Sequence, residues 1–396
     1  MSVSHIDDLP LARPQGCPFD PPSELGRLQA ENPLVRMTYP DGHVGWLATG
    51  YAEVRAVLAD QRFSSRYELM HHPLPGMEEI GELPPAPVGD MIGLDAPEHT
   101  RYRRLLVGKF TVRRMRQLSE QVERVTAEHL DAMRRKGPEL DLVAEFAHPV
   151  PAVMICELLG VPYSDRDTFQ GYVTALFAAD GPPAEKFAAY QNLQEYMGRL
   201  VSAKRADPTD DVLSELTTSD LNDEELAGVG GVLLAAGLDT TANMIALGAF
   251  ALLRHPEQIA GLHADPDKAV EELLRYLTVA NLNIRAARED VELGGQLIKA
   301  GSTVTLAMHT ANRDPLRFAD PDALDLSRDA VGHLAFGHGI HQCLGQQLAR
   351  VEMRVAIPEL FKQFPTLRLA VAPEEVPLRP VHQSIYGVHR LPVTWS

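Results

Sequence analysis

Apolar positions recur along this chain with two different spacings, and the change from one to the other sorts it into elements. Leu34–Tyr39 and His43–Ala48 alternate apolar and polar residues on either side of Pro40-Asp41-Gly42, which predicts a hairpin with an Asp-Gly turn. Tyr51–Asp60 follows with helical spacing. Residues 64–93 lose periodicity and are rich in Pro, Met, Gly and His, so they are expected to form a long loop; such loops inside compact proteins tend to be functional. From Pro97 to Leu277 helical spacing dominates. Breaks are expected at Gly137-Pro138, Gly160-Val161-Pro162, Gly181-Pro182-Pro183 and Asp207-Pro208. The longest helix is expected over Asp223 to Arg254, opened by Asn222 with Glu225 as a capping pair and closed by His255-Pro256. At 1.5 Å per residue it would span roughly 48 Å. Asp265-Pro266 caps a further helix to Leu277. Val291–Ile298, folded at Gly294-Gly295, and Ser302–His309 then read as strands. A last helix starts near Cys343, and the tail from Arg368 is strand-like and irregular. Residues 1–22 are Pro-rich and expected to form an irregular arm. No repeat or linker divides residues 1–396, so the pattern gives one mainly α domain, helix-rich with a smaller β-rich portion.

Charge and cysteines narrow the chemistry. The net charge of −17 argues against nucleic acid and anionic membranes as partners. Cys17, Cys156 and Cys343 are odd in number, far apart and without a C-x-x-C pair, so neither a disulfide framework nor a cysteine-built zinc site is expected. A reducing cytoplasm fits. The first residues lack the apolar stretch of a signal peptide, and the run Val229–Leu238 is too short to cross a bilayer, so no membrane anchor is expected.

The most informative stretch runs from Phe336 through Gly339 and His341 to Cys343 and Gly345. A glycine-rich loop delivers a cysteine to the start of an amphipathic helix, where unpaired N–H groups and the helix dipole favour a thiolate. The pattern F-x-x-G-x-H-x-C-x-G resembles the haem-binding signature of the cytochromes P450. The resemblance covers nearly the whole chain and implies the single-domain cytochrome P450 fold of the soluble bacterial type. It makes Cys343 the axial ligand of haem b iron, where thiolate electron density favours O–O cleavage. Phe336 and Gly237 would lie against the haem. Ala236-Gly237-Leu238-Asp239-Thr240-Thr241 places an acid and an alcohol in the longest helix. It resembles the family's oxygen-activating motif, with Thr240 bonding to bound O2 or its water and Asp239 relaying protons. Glu272 and Arg275, three apart on one helix, resemble the family's E-x-x-R pair that braces the thiolate loop, with Arg328 as third member. His99, Arg103, Arg285 and His341 match positions that bind the haem propionates.

The resemblance also implies walls for an apolar substrate at Met91, Ile92, Leu176, Leu233, Ala236, Val279, Leu282, Ile284 and Ile385, with Asn281, Asn283 and His72 as polar anchors. Enzymes like this often tailor polyketides, macrolides, terpenoids or steroids. The expected reaction is monooxygenation, by hydroxylation or epoxidation; a peroxide-driven peroxygenase and a haem carrier or sensor without turnover are the alternatives. The chain carries no G-x-G-x-x-G fingerprint after a strand, so electrons from NAD(P)H are expected through a ferredoxin and its reductase. Arg101, Arg103, Arg104, Lys109, Arg113, Arg114 and Arg116 form a run that no acid interrupts, and charge steering would make it the docking face of an acidic ferredoxin. The protein is expected to be a monomer.

Overall fold

The computed structural model describes residues 4–14, 16–76, 81–109, 112–177, 183–381, 383 and 385–396. Leu34–Thr38 and Val44–Ala48 pair antiparallel with Leu34 opposite Ala48, as the alternation requires. They belong to a six-stranded sheet in the order His5–Ile6, Leu34–Thr38, Val44–Ala48, Thr303–Ala307, Leu282–Ala287, Phe63–Ser64. Three differences from the pattern follow. Leu282–Ala287 is a strand, although its alternation is masked by Asn283 and Arg285. The strand expected over Ser302–His309 ends at Ala307, where Met308 N–H donates to Asn281 O and a short helix, Met308–Ala311, begins. The arm is not wholly irregular, because His5–Ile6 adds a parallel strand and Leu9 and Phe19 are buried. Val291–Leu293 and Gln296–Ile298 form the expected hairpin. The tail joins a second sheet, in which Pro392–Thr394 lies between Arg368–Leu369 and Glu139–Asp141.

Helices make up the rest. Pro149–Leu159, Pro183–Ala206, Pro266–Leu277 and Gln346–Gln363 pack on the central helix Asp223–Arg254, Val112–Lys136 packs on Gln346–Gln363 and Pro149–Leu159, Arg166–Phe177 packs on Pro183–Ala206, and Glu98–Val107 completes the set. The breaks at Gly137 and Gly160 fall at positive φ, and the helix before Asp207-Pro208 stops at Ala206. The break expected at Gly181-Pro182 lies outside the described residues. The capping box on the central helix forms both ways: Glu225 N–H donates to Asn222 Oδ1 and Asn222 N–H donates to Glu225 Oε2, each at 2.9 Å. By length and composition this 32-residue helix could cross a bilayer, but 72% of its most apolar window is buried against the other helices. It is helical without interruption through Gly237. The 64–93 loop carries single 3-10 turns at Tyr67–Leu69 and Met91–Gly93, and its N-terminal end is fixed where Ser64 Oγ donates to Asp95 at 2.6 Å. Residues 77–80 of that loop lie outside the described residues.

Candidate active site

The loop ahead of the last helix brings its cysteine back under the chain. Cys343 N–H donates to Phe336 O at 2.9 Å, closing the loop. Gly339 sits at φ +76°, and a Cβ there would lie 2.3 Å from Leu58 O, so only glycine fits the turn. The helix Gln346–Gln363 starts just after Gly345. Burial pushes the Cys343 thiol up, against backbone N–H donors from Gly345 and Gln346 and the positive charges of Arg103 and Arg350. Desolvation is the larger effect, so the start of a helix does not by itself make Cys343 a thiolate. A metal cation on the sulfur reverses that balance, since coordination deprotonates a thiol outright. Cys17 and Cys156 are free, and burial pushes Cys156 up to about 12.

Four groups that can carry positive charge converge near this loop. His99 and His341 lie with ring centroids 4.1 Å apart. Burial, then Arg285, His99 and Arg103, push His341 down to about 3. Arg285 is buried, and burial lowers it to about 10 although Asp95 and Tyr67 act the other way. Its guanidinium donates to Asn283 Oδ1 and, at 2.7 Å, to Ile284 O. His99 Nδ1 is buried with no hydrogen-bond partner. Mutually repelling donors around an unpaired buried nitrogen are costly as they stand and favourable once an anion joins them. The donor set fits the two carboxylates of a haem, with Cys343 as the residue that would hold its iron.

Across the central helix, Asp239 is buried but has a partner that sequence spacing could not supply. Arg379, from the tail, donates from Nη1 to Asp239 Oδ2 at 2.8 Å and from Nη2 to Oδ1 at 2.6 Å. Asn243 Nδ2 donates to Asp239 O at 2.7 Å and to Oδ1 at 3.2 Å. Thr240 Oγ1 donates back to Ala236 O at 2.8 Å. Ala236 is exposed and Gly237 and Thr240 are half-buried, in the middle of a helix that is otherwise mostly buried, so the helix is open on that side.

The three bracing residues meet. Arg275 donates from Nε to Glu272 Oε2 at 2.7 Å and from Nη2 to Oε1 at 2.8 Å, with both residues fully buried. Arg328 Nε and Asp325 N–H each donate to Glu272 Oε1 at 3.1 Å. Sequence reading missed a second carboxylate beside it. Burial alone would raise Glu271, but hydrogen bonds from His333 and Arg350 outweigh it and hold the carboxyl down to about 2. Arg350 also covers the Phe336 ring, 4.6 Å from its centroid.

The expected substrate walls divide. Met91, Leu233 and Val279 are buried in the main core, while Leu176 and Ile385 are half-buried against it. Leu282 packs on a neighbouring cluster, Ile284 is half-buried, and Ile92 is exposed at 49%. The polar anchors are already engaged. Asn281 Oδ1 accepts from Arg13 Nη2 at 3.1 Å, and Asn283 Oδ1 accepts from Arg285. His72 accepts from Leu74 N–H and lines a small cavity of about 130 Å³ with Asp41, Glu68 and His71.

The basic run also needs correction. Acids distant in sequence fold against it: Arg101 pairs with Asp220 and Glu225, Lys109 with Glu215, and Arg114 with Asp210 and Glu215. Arg104, Arg113 and Arg116 remain exposed.

A family model described as Cytochrome P450 matches residues 185–394. Cytochrome P450 105C1 of a Streptomyces species is 48% identical over 384 residues, covering 95% of this chain and 96% of that protein. Pentalenic acid synthase of Streptomyces avermitilis is 44% identical, covering 98% of each. The crystal structure of CYP105P1 in complex with filipin I superposes with a TM-score of 0.91 at 42% identity, covering 98% of this chain and 99% of that one.

Proposed function

This chain belongs to the cytochrome P450 family and is a monooxygenase, and from that premise we propose that it oxidises an apolar natural product at a haem held by Cys343. The observation that carries this assignment of the site is the cluster of buried His99 and Arg285 with half-buried Arg103 and His341, together with the unpaired His99 nitrogen. When bound there, haem supplies the oxidising chemistry, in which O2, two electrons and two protons put one oxygen atom into substrate and release the other as water.

The chain's own residues do the rest. Arg103, Arg285, His99 and His341 orient the group through its carboxylates, and Gly339 lets the loop close against Leu58 and Ala59. Glu272, Arg275 and Arg328 tie down the segment 312–325 that leads towards that loop. Thr240 keeps its hydroxyl on the open side of the central helix, where its oxygen can accept from a water while its proton goes to Ala236 O. Asp239 is the acid next to it. Apolar side chains at Leu176, Leu233, Ala236, Val279, Leu282, Ile284 and Ile385 exclude water from the reacting carbon. One relative is named for pentalenic acid and another binds filipin I, which supports a terpenoid or polyketide substrate. Electrons come from NAD(P)H through a reductase and an acidic ferredoxin that docks, in the cytoplasm, on Arg104, Arg113 and Arg116.

The test is paired. Cys343→Ser removes the long-wavelength Soret band of the reduced carbon monoxide complex, and a retained band would overturn the ligand assignment. Thr240→Ala keeps that band but diverts most of the O2 consumed to hydrogen peroxide, a loss of productive turnover of roughly 10²-fold. Unchanged coupling would remove Thr240 from the proton path.

A further inference from the structure

The N-terminal arm inserts a guanidinium that meets only neutral partners. Arg13 is half-buried and forms no ion pair among the described residues. It donates from Nη1 to Asp20 O at 2.7 Å and to Pro18 O at 3.4 Å, and from Nη2 to Asn281 Oδ1 at 3.1 Å. Its guanidinium carbon lies 3.5 Å from the centre of the Tyr386 ring. Burial, the largest influence on it, lowers the Arg13 guanidinium below the ordinary arginine value. A second arginine at this junction, Arg313, also lies over a ring, 3.8 Å from the centre of Tyr276, but it meets the carboxylates of Asp20 and Asp322. Taking a cation from water to neutral acceptors is costly, so Arg13 is a poor choice if its task is only to hold the arm down.

Its far contacts give it another task. Asn281 lies in one stretch of the proposed substrate wall, and Tyr386 follows Ile385 of another. Asn281 is buried, and its backbone O accepts from Met308 N–H at 2.8 Å and lies 3.0 Å from His309 Nδ1. Tyr386 N–H donates to Val279 O at 2.8 Å, Ile385 bridges to Ala280, and Tyr386 OH donates to Pro18 O at 2.7 Å. One guanidinium thus joins the arm, the chain before the strand Leu282–Ala287 and the tail. We propose that Arg13 is a specificity-determining positioning residue: it locks the stretch 279–284 and Ile385 into one fixed wall, and so sets which bulky apolar substrates fit, without contacting substrate itself. The inference rests on the reading of Val279, Leu282, Ile284 and Ile385 as substrate wall and deepens it. A guanidinium suits this task because its planar fork stacks on a ring while donating sideways to several acceptors, and ammonium cannot. A wall held in place before binding need not be ordered by the substrate, so loosening it is read as lost affinity.

The experiment titrates Arg13→Met, Arg13→Lys and Ile385→Ala holoenzymes with imidazole and with clotrimazole, reading each Kd from the Soret shift. Imidazole needs only the iron, whereas the triaryl group of clotrimazole must also fit against the walls. Haem content and the imidazole Kd are expected to match wild type in both Arg13 variants. Arg13→Met is expected to raise the clotrimazole Kd about 10-fold, and Arg13→Lys to raise it by less. A role confined to stability would lower the melting temperature and leave the ratio of the two Kd values alone. A wild-type ratio in Arg13→Met, while Ile385→Ala changes it, overturns the role of Arg13 and leaves the wall reading standing. A wild-type ratio in Ile385→Ala overturns the wall reading and this inference with it. If Arg13→Met loses its haem, the lysine variant decides, since an unshifted ratio there also overturns the role.

Discussion

Two buried carboxylate–guanidinium contacts in this molecule, at Glu272 and at Asp239, are built differently. Glu272 receives donors from Arg275, Arg328 and the Asp325 backbone, and Arg275 in turn donates to the carbonyls of Asn312, Pro321 and Ala323. Both Glu272 and Arg275 are wholly out of solvent. Asp239 has Arg379 and Asn243, and the Arg379 side chain is 15% exposed on a hairpin of the tail. Moving any member of the first group strands several buried donors at once. Moving Arg379 leaves one carboxylate that still accepts from Asn243. Redundancy of anchoring, more than ion-pair geometry, separates the two.

Breaking the first contact should therefore produce the largest effect. Glu272→Ala leaves two guanidinium groups unpaired, one fully buried, and is expected to cost about 3–5 kcal/mol. Urea denaturation and the haem retained on purification measure it, and an unshifted midpoint would show that the brace is dispensable. Arg379→Gln should cost only about 1–2 kcal/mol in the same assay, and equal losses would erase the distinction.

A third buried carboxylate sets the limiting case, with no hydrogen bond among the described residues to one of its oxygens. Glu352, on the helix after Cys343, has Oε2 buried without a hydrogen bond, and burial pushes the group up to about 8 from 4.5. Its acid is neutral in the fold while the unfolded chain ionises, so stability is lost as pH rises between those two values. Glu352→Gln should abolish that slope and be more stable at pH above 8 by roughly 2 kcal/mol. Parallel pH profiles of melting temperature for the two proteins would show that the group is already paired.

The smallest effect belongs to exposed cations that form no ion pair among the described residues. Arg104→Glu and Arg113→Glu should change stability by less than about 0.5 kcal/mol and slow reduction by ferredoxin up to roughly 10-fold. Added salt should narrow the gap as screening shortens. Reduction rates that ignore both charge reversal and salt would move the docking face elsewhere.

Local chemistry was readable in the sequence because its signals are short. The Asn222–Glu225 capping box, the glycine turn before Cys343 and the Glu272–Arg275 spacing each fit within a few residues, and the structure forms all three contacts. What escaped depends on residues far apart in the chain. Arg379 meets Asp239 across 140 positions, so no window could pair them. Arg101 and Arg114 read as free cations because the acids that neutralise them, Glu225 and Glu215, come from other helices more than a hundred residues later. Asn281 read as a polar anchor for a ligand, but the N-terminal arm had already engaged it through Arg13. The strand Leu282–Ala287 was missed because Asn283 and Arg285 face one another at its heart and lower its apparent β character.

The contact between Arg13 and Tyr386 also has a consequence in time. A ribosome releases residue 13 long before residue 386, so the arm's guanidinium and the central helix's Asp239 both emerge without their partners from the tail. Contacts of such separation form last, after the closure entropy of the intervening chain has been met. Until the segment 379–386 arrives, the wall built from Val279 and Ala280 has no hairpin against it, and Asp239 has no guanidinium to bind. The growing chain therefore passes through a stage in which its helices can be assembled while Val279 and Ala280 still lack the tail contacts that Ile385 and Tyr386 will make.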